Sequence, residues 1–365
     1  MSTDLRAGAP VNVVNAPTEG LQETLHVKTM ESGDLATFIT DLETDGAAVL
    51  TEKEVIATTA TAKQPTLGPL ADLQGDWTGR GLNVMSLPNN FKANPAHRFK
   101  VKINSLIEDT QFSPISAPIP NRGNIQDDIF FLGLTYLQKV SDGETLEGLH
   151  IEPGIFLFLP SNPEQKDATI VRMATIPHGN AVMAQGPFLT VPSAPIINKV
   201  DPTPFMLDKD GKRKNITDPG YLKAFSEAID KAPPHINKEA FKDPNVILSD
   251  YNKKLIHDGK KIISTTVFQV NATPIGGIND GLGIGPSSPK DGGITNIPFV
   301  VKNADANSMS ATFWINTVEN EDKSQFLVLQ YSQTVILKFS FPKDSNSKEP
   351  DIMWPHITTA NLIKR

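Results

Sequence analysis

The run Met353-Trp354-Pro355-His356-Ile357-Thr358-Thr359-Ala360-Asn361-Leu362-Ile363-Lys364 holds the clearest chemical signal, a histidine set behind a proline at the head of a strand-like stretch. Chain ends fray unless something ties them down, and one written with Trp, Ile and Leu reads as tied into a sheet. A neutral imidazole held there can reach into a cavity and bind a metal or haem iron. Taken alone, such a histidine more often simply caps a strand. Two others bear on the choice. In Gly148-Leu149-His150-Ile151-Glu152-Pro153-Gly154, strand alternation sends Leu149 and Ile151 one way and His150 and Glu152 the other. Facing a barrel interior, His150 and Glu152 would form a buried polar pair that needs mutual hydrogen bonds. His178 lies in the turn-like Ile176-Pro177-His178-Gly179, whereas His26, His97, His235 and His257 sit in polar contexts and read as surface residues.

Several chemistries fall away on composition and spacing. With no cysteine in 365 residues, disulfides, thiolate catalysis, Cys-ligated zinc and iron–sulfur clusters are excluded. The three notable histidines lie far apart, unlike a His-Glu-x-x-His zinc helix, and no Gly-x-Ser-x-Gly elbow marks a hydrolase. The glycine-rich stretch 276–293 (GGINDGLGIGPSSPKDGG) lacks the Lys-Ser/Thr pair of a phosphate loop and the helix that should follow it. It reads as a loop, a candidate lid over a barrel end. A net charge of −7 without a large basic cluster argues against nucleic acid, and the Lys209–Lys214 run reads as a solvated turn. No apolar run approaches the ~18 residues of a membrane span. Residues 1–8 lack the apolar centre of a signal peptide, so a cytoplasmic location is the default expectation.

The elements that must position these residues are mostly strands. Pro 29 and Gly 25 cut the chain into short segments, which favours β architecture. Strand-like runs cover 77–85, 98–107, 129–140, 149–159 and 168–176, and return at 262–270, 310–318, 325–341 and 356–363. Gly154 to Leu159 is almost continuously apolar, as for a strand buried on both faces. In 325–341, Leu327, Leu329, Tyr331, Val335, Leu337 and Phe339 share one face and Gln330, Ser332, Thr334 and Lys338 the other, the pattern of a half-buried antiparallel strand. Residues 187–260 break this grammar with helical signals at 221–231 and 245–255. About ten strands at hairpin spacing, without βαβ alternation, predict a mainly β fold, an antiparallel calycin-like barrel. The expected organisation is an N-terminal extension (1–65, with a helical-looking stretch near Ser32 to Leu42), barrel residues 66–190, a partly helical insertion (191–260), and barrel residues 261–365.

A positioned imidazole in an apolar barrel suits haem, with Phe, Trp and Met side chains packing the macrocycle. Phe130, Phe131, Phe156, Phe158, Met173, Phe313 and Trp314 all lie on predicted strands, although aromatic residues on strands are usually just core. Several segments together resemble the nitrobindin family of haem-binding β-barrels. Gly75-Asp76-Trp77-Thr78-Gly79-Arg80-Gly81 resembles its Gly-x-Trp-x-Gly-x-Gly opening, and Phe131, Gly133 and Tyr136-Leu137-Gln138 follow in its order. His150-Ile151-Glu152-Pro153-Gly154 matches its His-x-Glu-x-Gly strand, and Gln333-Thr334-Val335 and Pro355-His356-Ile357 complete the series. The resemblance implies haem b as cofactor and His356 as the proximal iron ligand. It also implies an activity toward reactive nitrogen or oxygen species, as a peroxynitrite isomerase or a peroxidase-like enzyme. The chain departs from the family where Phe130-Phe131-Leu132-Gly133 replaces a distal Ser-His-Ser-Gly segment.

The candidate pocket residues are therefore Trp77, Phe131, His150, Phe156, Met173, His178 and Trp314, with His356 as the metal ligand. The expected partner is haem or a small hydrophobic ligand, with neither nucleic acid nor membrane insertion; the oligomeric state is left open. The alternative is a non-catalytic carrier of a fatty acid or similar ligand. A third reading is a barrel filled by its own side chains, with the extension and insertion serving as an interaction surface.

Overall fold

Alternation along the long strands leads directly to a closed sheet. The computed structural model describes residues 66–88, 99–162, 167–216, 219–230, 237–272, 293–339 and 351–365. Residues 1–65, nearly all of the glycine-rich stretch expected to be a loop, and His26, His97 and His235 lie outside the described residues.

In chain order the strands begin with β1 (Gly75–Pro88), β2 (Phe99–Pro114), β3 (Ile119–Asn121), β4 (Ile129–Asp142) and β5 (Gly148–Leu159). There follow β6 (Thr169–Ile176), β7 (Asn180–Gly186), β8 (Phe188–Val191), β9 (Phe205–Leu207) and β10 (Arg213–Asn215). The last five are β11 (Lys261–Ala272), β12 (Gly293–Asn296), β13 (Asp305–Glu319), β14 (Gln325–Phe339) and β15 (Ile352–Lys364). Three helices, α1 (Pro219–Asp230), α2 (Val246–His257) and α3 (Pro298–Asn303), interrupt them. None of the described helices is long and apolar enough to cross a membrane.

Ten of these strands form a mainly β, closed antiparallel barrel of calycin-like type, in the order β1-β2-β4-β5-β6-β7-β11-β13-β14-β15. The seam is the β1–β15 ladder, which runs from Trp77 opposite Lys364 to Met85 opposite His356. Two glycines let the seam close. A Cβ on Gly79 would stand 2.0 Å from the Asn361 carbonyl oxygen, and one on Gly81 2.3 Å from that of Thr359.

The inward faces converge on one core. It contains Phe112, Leu134, Tyr136, Phe156, Phe268, Phe313, Leu329 and Tyr331. One end of the barrel is stoppered by a 3-10 helix, Gly68–Leu73, whose Leu70 and Leu73 are fully buried in this core. Trp77 fixes the stopper by donating from Nε1 to the Leu73 carbonyl at 2.6 Å. The other end carries the β4–β5 and β6–β7 turns and the first residues of β15, so His356 belongs to it.

Two expectations need correction. β14 is not half-buried: Gln330 and Ser332 on its outward face are buried too, because the insertion and the segment after β8 cover that face. Helix α2 follows Phe241, which packs with Ala240 on Leu82 and Val84 of the outer β1 surface. Strand β7 has no counterpart among the predicted runs. Its inward residues include Val182 and Ala184, small enough to give little apolar signal. Lys209 and Lys212 lie in the exposed turn between β9 and β10, as a solvated turn should.

Candidate functional site

His356, Ala360 and Leu362 share the inward parity of β15, and Ala360 and Leu362 belong to the core, which places the His356 imidazole toward the lumen. It is flanked in register by Met85 and Val335. His356 itself is half-buried and keeps some accessible surface. Burial, followed by the charges that His150 and His178 carry when protonated, depresses its pKa from 6.5 to about 4. At neutral pH the ring is therefore uncharged, and neither nitrogen has a hydrogen-bond partner among the described residues.

His150 and His178 stand together at the same end. Their ring centroids are 5.5 Å apart, His150 projecting from β5 and His178 from the β6–β7 turn. Burial and then His150 lower the His178 pKa. Among the described residues no three His, Asp or Glu side chains converge as a metal-holding group, so a three-histidine zinc site is not formed. What the fold assembles is a trio of imidazoles separated by 206 positions of sequence between His150 and His356.

Deeper in the barrel lies an ionic network. Glu152, 1% exposed, faces inward beside His150, whose Nε2 is 3.2 Å from Oε2. Arg172 donates from Nη2 to Glu152 Oε1 at 2.5 Å, from Nη1 to Gln333 Oε1 at 2.6 Å and from Nε to the Tyr136 hydroxyl oxygen at 3.0 Å. Tyr136 in turn donates its hydroxyl to Glu152. Burial pushes the Glu152 carboxyl up, but the Arg172 charge and the hydrogen bonds from His150 and Tyr136 outweigh it and hold the pKa at about 2. The guanidinium also sits 5.6 Å from the Phe313 ring centroid, within cation–π reach.

A second buried carboxyl, Glu108, makes no ion pair among the described residues. It accepts from Thr110 at 2.8 Å, Gln138 at 2.9 Å and Tyr331 at 2.5 Å. Burial raises its pKa, with these three hydrogen bonds pulling the other way. Between the two networks remains a void of about 20 Å³, bordered by Glu108, Tyr136, Arg172, Phe313 and Tyr331. That is room for about one water molecule.

The eight residues singled out from sequence fall into four places. His150, His178 and His356 meet at one end. Phe156 lies in the middle of the core, and Trp77 lies at the stoppered end. Met173, Trp314 and Phe131 are not inward at all. Met173 is aligned between Ile155 and Met183 on the outer face, and Trp314 is aligned with Val267 and Gln330 outside the barrel. Phe131, near the start of β4, lies on the face opposite Leu134 and Tyr136. Parity decides each case, because the inward residues of their strands are Arg172 and Ala174, Phe313 and Ile315, and Leu134 and Tyr136. Arg172, Glu108 and Tyr331 were not singled out. The available signal was a charged residue sharing a face with apolar ones, Arg172 in TIVRMATI and Glu108 between Leu106 and Phe112 in SLIEDTQF.

Fold and site together define a calycin-like barrel with a histidine-lined end and an ionised, self-satisfied core. No protein family matches the sequence and no curated protein does. Among solved structures the chain is similar to that titled "Crystal Structure of Rv2717c from M. tuberculosis", at 12% identity, over 82% of this chain and 96% of that one, with a TM-score of 0.35. A likeness at that level carries no function across.

Proposed function

We propose that this barrel binds haem at its histidine end, with His356 as the axial donor to iron. The observation that carries the reading is the lumen-facing, uncharged and hydrogen-bond-free imidazole of His356. An imidazole must be neutral to offer a lone pair to a metal, and burial keeps it so well below neutral pH. The donor chemistry fits haem; the deep lumen does not, since about 20 Å³ remains there. A macrocycle would therefore be held at the end where His150 and His178 stand. Bound haem would supply an iron able to act on reactive nitrogen or oxygen species. His150, hydrogen-bonded to Glu152 and 23% exposed, is the chain's own group for holding or delivering a proton there.

The fatty-acid carrier is less well supported. The buried cation that could anchor a carboxylate, Arg172, is already committed to Glu152, and aromatic side chains fill the space an acyl chain needs. The reading of a barrel packed by its own side chains describes the deep half of the lumen, but leaves the histidine trio without a purpose.

Haemin titration of the full chain, followed through the Soret region, tests the proposal. A saturable one-to-one shift that His356→Ala removes, with the unfolding transition retained, is the expected result. No shift, or one indifferent to His356→Ala, would dismiss His356 as the ligand.

A further inference from the structure

A larger cavity, about 290 Å³, lies outside the barrel, away from the histidines. That volume is near the lower bound of small-molecule sites. Its floor is the outward face of β11, β13 and β14. Its roof is the segment 193–200, which leaves β8 and crosses over these strands. The roof is tied at both ends. Thr265 donates its hydroxyl to the Ser193 carbonyl at 2.9 Å, and Asn245 donates Nδ2 to the Asn198 carbonyl at 2.7 Å.

The floor is ordered by register. Gln269, Thr312 and Ser332 are direct partners across three strands and form a single polar row. Val267 and Trp314 partner one another alongside it, and Leu189 of β8 pairs with Val267 in turn, adding an apolar platform that Pro195 borders from the roof side. Ordinarily the outside of a barrel strand meets water, yet Gln269 is 2% exposed and Thr312 and Ser332 are also buried. The Gln269 amide donates to Ser310 at 3.1 Å, but its oxygen and the Thr312 and Ser332 hydroxyls have no partner among the described residues. Asn245, which also lines the cavity, leaves its buried Oδ1 unpaired. The Gln269 oxygen and the two hydroxyls keep surface open to the cavity, whereas a buried polar atom without a partner, as Asn245 Oδ1 is, is costly and marks a place where something else completes it.

Among the described residues no Asp, Glu, Lys, Arg or His lines this space. A charged ligand would be partly desolvated there without a counter-charge, which disfavours it. The unpaired Asn245 Oδ1 needs a donor, and Trp314 with Val267 offers a flat apolar surface. We propose that this outer cavity is a second binding site, for an uncharged aromatic compound that carries an O–H or N–H donor. The site is independent of the haem reading, sharing no residue with the histidine end.

The test uses the full chain and four probes of one ring size: phenol and benzamide, which are neutral, and benzoate and benzylamine, which are charged. Calorimetric titration should show saturable binding of a neutral probe and at least about tenfold weaker binding of both charged ones. Thr312→Val, which keeps the shape but removes a hydroxyl, should weaken the neutral probe by about fivefold. Val267→Phe, which fills the cavity, should abolish binding. Absence of binding by either neutral probe, equal binding by the charged ones, or parental affinity in Thr312→Val would each overturn the proposal. Thr312→Val carries the decision should Val267→Phe fail to fold.

Discussion

Glu152 shows how this barrel tolerates charge at its centre. The carboxylate stays ionised although buried, because Arg172, Tyr136 and His150 all address it. Removing the cation alone strands that charge. Arg172→Met is expected to destabilise the fold by about 3–5 kcal/mol, whereas the double change Arg172→Met with Glu152→Leu should recover most of the loss. Urea denaturation of the two variants checks this; equal losses would show that the pair is not energetically coupled. His356 has a different signature. Its folded pKa of about 4 lies below the ordinary 6.5, so between those pH values the unfolded chain binds more protons. Stability present above pH 6.5 should therefore fall as pH drops toward 4, by about 3 kcal/mol for this residue. Glu152 contributes its own loss lower down, as pH falls from its ordinary 4.5 through about 2. Glu108, raised by burial, works in the opposite sense, losing stability as pH rises above 4.5. The difference between the parent and His356→Gln isolates the histidine, and a slope unchanged between pH 6.5 and 4 would refute the assignment.

At the scale of elements, the β1–β15 seam decides whether the sheet is a barrel. Its backbones approach so closely at Gly79 that a methyl group would collide with the Asn361 carbonyl. Gly79→Ala should therefore cost at least about 2 kcal/mol, as overpacking does, by prising the closing strands apart. Gly148→Ala is the matched control, since its Cβ meets nothing within 4 Å, and should stay within about 0.5 kcal/mol of the parent. Thermal unfolding of both proteins checks the contrast, which equal melting temperatures would contradict. The alternation that places these strands was legible in the sequence because side chains on a strand have a two-residue period. β7 escaped notice for the same reason inverted: Val182 and Ala184 alternate with Ala181 and Met183, so the two faces differ little in hydrophobicity.

For the whole molecule, the question is whether the insertion is cargo or structure. Phe241 is buried against Leu82 and Val84 of the barrel wall, and Gln330 donates to the α2 carbonyl of Leu248 at 3.1 Å and to Asn361 at 2.6 Å. These contacts make the insertion part of one cooperative unit with the strands it covers. Phe241→Ala should lower the stability of a single unfolding transition by about 3–5 kcal/mol. A separate early transition, with the barrel melting unchanged, would show the insertion to be an autonomous fold. The covered outer face also explains why Ser332 and Gln330, read as solvent-facing, are buried.

The sequence by itself determined the class of fold, the inward pairing of His150 with Glu152, and the histidine on the strand that closes the sheet. All three follow from local alternation and from the residues flanking each run. Only the tertiary structure brought His150, His178 and His356 to one end, set Arg172 against Glu152, and turned Met173 and Trp314 outward. Those facts depend on strand neighbours, on the register fixed at the closing seam, and on what covers each face. A period of two divides a strand into two sides, but only closure decides which side becomes the inside.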